Sequence, residues 1–171
     1  MDAVLIQDDD LIIRPFQAGD LEQVLEIYRQ CEDFLALGPV PTASLEMVKA
    51  DLRLSEREGG IFCVILARQG GEMLGIVDFV LSGWEGNPRA AFLSLLMIAA
   101  PQRSRGRGAE VVGLIESLIA QNGQIEAIHS GVQVNNPGGI RFWQRMGYRI
   151  VSEARDMGDG TTAYQLQKPT R

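Results

Sequence analysis

The 171-residue sequence predicts an α/β protein of the mixed-sheet (α+β) kind, with helices on both faces of one sheet. Three observations carry this. Phe92 to Ala99 is an almost unbroken apolar run, which suits a strand covered on both faces. It is followed by a polar, glycine-bearing turn and then, from Gly108, by Val111, Val112, Ile115, Leu118 and Ile119 at helical spacing. Gly70-Gly71 separates two strand-like runs, Ile61 to Arg68 and Glu72 to Leu81, which reads as a hairpin and so as antiparallel pairing. A sheet with both kinds of connection buries its elements when helices lie on both faces.

The remaining elements follow in order. Met1 to Asp10 is a leader with a short extended piece at Val4 to Ile6, and Leu11 to Phe16 is the first full strand. Asp20 is placed to cap a helix that carries Leu21, Val24, Leu25 and Tyr28 on one side. Glu32 to Pro41 reads as a break. Thr42 or Ser44 caps a second helix to about Arg57, with Leu45, Val48, Leu52 and Leu54 facing inward, and Gly59-Gly60 ends it. Trp84 to Arg89 is a polar loop. Ile125 to Val132 is a strand, Pro137 or Gly138 opens a short helix to Met146, and Gly147 closes it. Tyr148 to Ala154 and Thr161 to Gln167 read as strands around a turn at Asp156 to Gly160. With no repeat or linker, residues 1–171 read as a single domain.

Composition narrows the function. The formal net charge of −6 disfavours a nucleic-acid binder, so the arginines near the glycine turn form a local patch suited to a small polyanion. Two distant cysteines, Cys31 and Cys63, and one histidine provide neither a disulfide framework nor a metal pattern, so no metal is expected. No signal segment and no apolar run of membrane-spanning length occur, and the expectation is a soluble cytoplasmic protein without membrane partners.

Strand, glycine turn and helix in series make an anion site. Successive N–H groups can converge on one phosphate at the positive end of the helix, and Arg103, Arg105 and Arg107 add guanidinium groups. A solvent-facing turn is the plainer alternative. The spacing is neither the dinucleotide-binding GxGxxG nor a P-loop, since no Lys-Ser or Lys-Thr follows the glycines.

The turn resembles the acyl-CoA-binding motif of the GNAT superfamily of N-acyltransferases, Q/R-x-x-G-x-G/A, read as Arg103-Ser104-Arg105-Gly106-Arg107-Gly108. A second register is open: Arg105-Gly106-Arg107-Gly108 matches the end of Pro-x-x-Arg-Gly-x-Gly, with Pro101 one residue too far upstream and Glu110 at the final small position. Either register implies that the diphosphate of acetyl-CoA lies over the backbone of Arg103 to Ala109. A later stretch, Val132 to Tyr148, resembles the family's V-x-x-x-N-x-x-A-x-x-x-Y-x-x-x-G-F: Val132, Asn136 and Gly147 match, Gly139 replaces alanine, Tyr148 replaces phenylalanine, and Trp143 stands at the usual tyrosine position.

The resemblance implies a GNAT-like central sheet in which two parallel strands, here Phe92 to Ala99 and Ile125 to Val132, splay apart to admit the cofactor. It implies pantetheine contacts near Met97, Ile98 and Ala99, and a cofactor slot that Asn136, Ile140 and Trp143 help to form. Asn136 also reads as a plain helix cap, and Ile140 and Trp143 as packing residues. The implied reaction is attack of an amine on a thioester. An indole N–H donates a hydrogen bond but is not a practical acid, so Trp143 leaves the proton for the thiolate unassigned. Tyr28, Ser130 and Tyr164 are candidates by chemistry. For the base, His129 has the fitting unperturbed pKa, Asp78 and Glu85 lie on or after the strand beside the centre, and Ser94, the polar exception in the central strand, suits a proton-relaying water. Trp84 reads as a lid, a pocket wall or an ordinary hairpin residue.

The expected activity is transfer of acetyl from acetyl-CoA to a primary amine of a small molecule or peptide. Alternatives are acetylation of a protein N-terminus and a non-catalytic acyl-CoA-binding module. Relatives of this size imply a possible homodimer.

Overall fold

A computed structural model of the chain describes residues 3–171, so Met1 and Asp2 of the expected leader lie outside it. The strands β1 (Ile6–Gln7) and β2 (Leu11–Pro15) precede three helices, α1 (Leu21–Gln30), α2 (Glu32–Leu35) and α3 (Leu45–Arg57). The hairpin β3 (Ile61–Ala67) and β4 (Met73–Val80) leads to the central strand β5 (Ala90–Ile98) and helix α4 (Arg107–Ala120). Then come β6 (Ala127–Gln133), α5 (Pro137–Arg145), β7 (Arg149–Ile150), β8 (Arg155–Asp156) and β9 (Thr162–Pro169). One sheet runs in the order β1-β2-β3-β4-β5-β6-β9-β7, with β8 also on β9. The β5–β6 pair is parallel and the others are antiparallel, which is the mixed sheet expected.

Each face has its own core. Val24, Tyr28 and Val48 from α1 and α3 pack with Val64, Ile76 and Met97 of the sheet. Val111, Val112, Ile115 and Ile119 of α4 pack with Val77, Phe79, Leu93 and Ile128 on the opposite face. These four α4 residues are no more than 1 % exposed. At about 1.5–3 kcal/mol for each buried aliphatic side chain, this contact outweighs the roughly 1 kcal/mol lost where a helix lacks a side-chain N-cap. That comparison matters because α4 begins at Gly106 with no side-chain cap.

Several local expectations change. Asp20 stands at the start of α1 but makes no cap bond. Its two carboxylate oxygens take the Arg14 guanidinium at 2.8 Å each, and Oδ2 also accepts from the Gln17 amide. Ser44, not Thr42, caps α3, accepting from the Met47 amide at 3.2 Å. Leu54 is 42 % exposed rather than inward. The break after Glu32 opens with α2, a single helical turn. The strand expected over 148–154 is regular only at Arg149–Ile150; it lies at the sheet's edge, keeps contact with Gln165 of β9 through Val151 and Ser152, and gives way to β8. Among the described residues, no helix is long and apolar enough to cross a membrane.

The parallel pair joins Ala90 to Ala127 and ends where Leu93 meets Ser130. Beyond that point β5 stays on β4 and β6 stays on β9, so the two strands part. A register shift between Asp78 and Phe79 leaves Ser94 opposite no residue of β4: it is the extra residue of a β-bulge at the fork. The central strand is therefore not covered throughout, since Ser94 is exposed.

Candidate active site

The gap between the parting strands opens a cleft of about 1130 Å³. The N-terminal turn of α4, helix α5, α2 and the β8–β9 turn all contribute to its lining.

Strand alternation decides which β5 groups face the gap. The Ala99 amide donates to Leu74 of β4 at 2.8 Å, and a Cβ on Gly75 would collide with the Met97 carbonyl oxygen, so residues 97 and 99 direct their backbone groups at β4. Leu96 and Ile98 direct theirs into the gap. Of the expected trio Met97, Ile98 and Ala99, only Ile98 lines the cleft, and Leu96 joins it. At the fork, the buried Ser130 hydroxyl donates to the Leu93 carbonyl at 2.8 Å, while the Ser94 hydroxyl has no partner among the described residues.

The glycine turn is built for an anion. Gly106 adopts φ +78°, a left-handed conformation that glycine takes without strain, and starts α4. The first amide satisfied across this junction is that of Glu110, which donates to the Gly106 carbonyl at 3.0 Å. The amides of Arg107, Gly108 and Ala109 are the orphan donors of the helix start. Gly108 packs against α5, since a Cβ there would stand 3.3 Å from the Phe142 ring. Both glycines of the register beginning at Arg103 thus have a structural reason.

The three arginines differ in their surroundings. Arg103 is tied down: it donates to both Asp33 oxygens at 2.7 and 3.1 Å, to the Gln30 carbonyl at 3.1 Å and to the Ile98 carbonyl at 3.2 Å. Its hydrogen bonds hold the Asp33 carboxyl below the usual range. Arg103 fastens the end of β5 to α1 and α2. Arg107 lines the cleft and pairs with Glu110 at 2.8 Å, but its buried Nε has no partner. Arg105 is exposed and outside the cleft lining, while Ser104, at φ +60°, and Ala109 are within it.

On α5, the Asn136 Oδ1 accepts from the Gly139 amide at 2.9 Å and caps the helix. An alanine at 139 would place its Cβ 2.5 Å from the Asn136 Nδ2, so the glycine there accommodates the cap. Trp143 lines the cleft with Phe142, Arg145 and Met146, and packs edge-on against Phe142 and Tyr148 with ring centres 5.2 and 4.9 Å apart. Ile140 packs against the core and is not on the cleft wall.

The candidate acid and base groups separate clearly. The Tyr28 hydroxyl is bound to Asp51 at 2.7 Å in the core, and burial raises its pKa. Tyr164 packs on the core outside the cleft. Asp78 is buried and accepts from Ser55 at 2.6 Å; burial raises its pKa. Trp84 lies flat on Phe92 at 4.7 Å and over His129 at 4.5 Å. Burial lowers the His129 pKa, opposed by the charge of Glu85, and neither residue is on the cleft wall. Glu85 is exposed at φ +50°. Among the described residues no group of three His, Cys, Asp or Glu side chains is placed to hold a metal ion.

The acetyltransferase (GNAT) family model matches residues 21–148, most of the chain. The chain belongs to the GNAT acetyltransferase family. This GNAT protein is an acyltransferase, and acetyl-CoA is the donor typical of its family. No curated protein matches it significantly. Its fold is similar to that of an acetyltransferase from Thermus thermophilus, at TM-score 0.75 and 23% identity, covering 98% of this chain and 99% of that one. A spermidine N-acetyltransferase from Vibrio cholerae, in complex with CoA and spermine, aligns at TM-score 0.71 and 14% identity over 95% and 97% of the two chains. A ribosomal L7/L12 alpha-N-protein acetyltransferase in complex with coenzyme A aligns at TM-score 0.72 and 14% identity over 98% of each.

Sequence reasoning missed Leu96, Phe142, Arg145, Met146 and Gln133 on the cleft wall. For Phe142 and Met146, their spacing around Trp143 on a short helix was an available signal; Gln133 and Arg145 carried none.

Proposed function

We propose that the protein is an N-acetyltransferase that passes an acetyl group from acetyl-CoA directly to a primary amine, with both substrates held in one cleft. The observation that carries this reading is that one cleft is lined by the uncapped start of α4, the fork at Leu93 and Ser130, α2 and the β8–β9 turn.

The residues fit the cofactor. The amides of Arg107, Gly108 and Ala109, with the unpartnered Arg107 Nε, suit a diphosphate. The gap-facing amides of Leu96 and Ile98 suit the pantetheine arm, which would satisfy groups that parting strands leave open. Trp143 and Phe142 wall the slot, and Asn136 fixes the start of that wall. Arg103 acts as a strut that sets the turn, because its donors are already engaged. Acetyl-CoA supplies the acetyl group as a thioester.

The chain contributes position and dipoles. Holding the amine and carbonyl together at the fork supplies much of the rate by proximity. The Ser94 hydroxyl, exposed at the bulge, anchors the water that takes the amine proton. Ser130 keeps the fork closed through Leu93. The thiolate leaves without a tyrosine acid, since Trp143 has none to give and Tyr28 and Tyr164 lie elsewhere. Glu85 is set back from the cleft and acts only through His129 or solvent.

A peptide amine is the second reading, favoured by the gap-facing edge of Gly131–Gln133, which is open to an extended chain. The test is CoA release and acceptor mass gain with panels of small amines and peptides. Turnover supports the assignment. Tight acetyl-CoA binding with no acceptor consumed would instead identify a non-catalytic acyl-CoA-binding module.

A further inference from the structure

We propose that Gln133 and Asp159 form a subsite for a second positive charge on the acceptor, so that the preferred substrate is an aliphatic diamine rather than a monoamine. The inference rests on the acetyl-transfer reading and adds the acceptor's class to it.

Two carboxylates line the cleft, Asp33 of α2 and Asp159 of the β8–β9 turn. Asp33 is already neutralised by Arg103. Asp159 has no cationic partner among the described residues. Its Oδ1 accepts from the Thr161 amide at 2.9 Å and the Thr161 hydroxyl at 2.5 Å, which orients the carboxylate and leaves Oδ2 open.

Gln133 supplies an independent sign. Its Oε1 is sealed from solvent and has no hydrogen-bond partner among the described residues, although the residue lines the cleft. A buried acceptor left unpaired costs about 1–3 kcal/mol, which a ligand N–H would recover. Thr161, which holds Asp159, and Gln133 both flank Gly38: a Cβ there would stand 3.6 Å from the Thr161 Cγ2 and 3.7 Å from the Gln133 Nε2.

The segment after α2 also meets Asn135 and the β8–β9 turn here. The Asn135 side-chain amide donates to the Leu37 carbonyl at 3.1 Å, and a Cβ on Gly160 would touch Pro39 at 3.4 Å. Phe34, Leu37 and Met157 give the cleft apolar walls that suit a methylene chain. An ammonium on Asp159 and Gln133, a hydrocarbon spacer and a reacting amine at the fork together describe a diamine.

The experiment compares kcat/KM for acetyl transfer to α,ω-diaminoalkanes of increasing length with matched n-alkylamines, using the full chain and acetyl-CoA. The expected result is at least a tenfold preference for the diamine at one or more lengths, weakened by salt. Asp159→Asn and Gln133→Ala, each checked for folding and CoA binding, should raise KM for the diamine and erase most of the preference. Equal turnover of both amine classes, a preference that survives both substitutions, or a stronger preference for peptide α-amines overturns the subsite while leaving acetyl transfer standing. Failure to acetylate any amine overturns the acetyl-transfer reading and the subsite with it.

Discussion

The Ser130 hydroxyl donates to the Leu93 carbonyl at 2.8 Å, across the last pair of residues that joins β5 to β6. The bond is buried and stands where the parallel ladder stops, so it fixes the apex of the cleft. Ser130→Ala removes a donor from a buried carbonyl and should destabilise the fold by about 1 kcal/mol. Urea titration measures that loss. Steady-state kinetics should show a larger effect on kcat than on the KM for acetyl-CoA, because the apex lies at the reacting end.

Gly106 holds its left-handed conformation in open space: nothing lies within 4 Å of a built Cβ. Backbone strain therefore limits this position, not crowding. Gly106→Ala should cost about 1–2 kcal/mol of stability and weaken CoA binding moderately. Gly106→Glu should lose more than tenfold in affinity, since it adds a carboxylate beside amides that await a phosphate. Calorimetry on the folded variants checks this, and unchanged affinity would count against the phosphate site.

Much of this geometry was legible in the sequence. The apolar run at Phe92 to Ala99, the glycine turn and the periodic α4 each carry a local signal, and together they place the parting strands. The bulge carries none: Ser94 sits within an apolar run, and its lack of a β4 partner depends on how β4 aligns. Arg103 looked like a phosphate ligand because charge is visible in sequence, whereas its partner Asp33, 70 residues away, is not. Tyr28 likewise reads as a free hydroxyl until α3 brings Asp51 onto it. The short β7 shows that apolar residues at a sheet edge do not guarantee a long pairing partner.

Asp78 is buried and Asp51 half-buried, both without a cationic partner among the described residues, and desolvation raises both pKa values; Glu58 and Asp51 add repulsion at Asp78, opposed by the Ser55 hydrogen bond. The folded chain thus holds these protons more tightly than the unfolded chain. Their contribution to stability is fullest below the unfolded carboxyl pKa of about 3.9 and falls as pH rises toward the folded-state values. Asp78→Asn should be more stable than the parent at pH 8 and nearly equal to it near pH 4. Denaturant midpoints of both proteins across that range test the sign.

Trp143 contributes shape to the cofactor slot through Phe142 and Tyr148, not a transferable proton. Trp143→Phe should keep kcat within about threefold and leave the pH profile of kcat unchanged, because a proton-donating group would be worth 10²- to 10⁴-fold. A collapse of kcat in a folded variant that still binds CoA would show that the indole does more than pack.

The most direct test is an amide-resolved NMR titration of the protein with CoA. Binding in the gap between β5 and β6, with the diphosphate on the first turn of α4, predicts the largest shifts at the amides of Leu96, Ile98, Arg107, Gly108 and Ala109. Saturable binding that leaves those five amides unmoved and shifts another face of the sheet would contradict it.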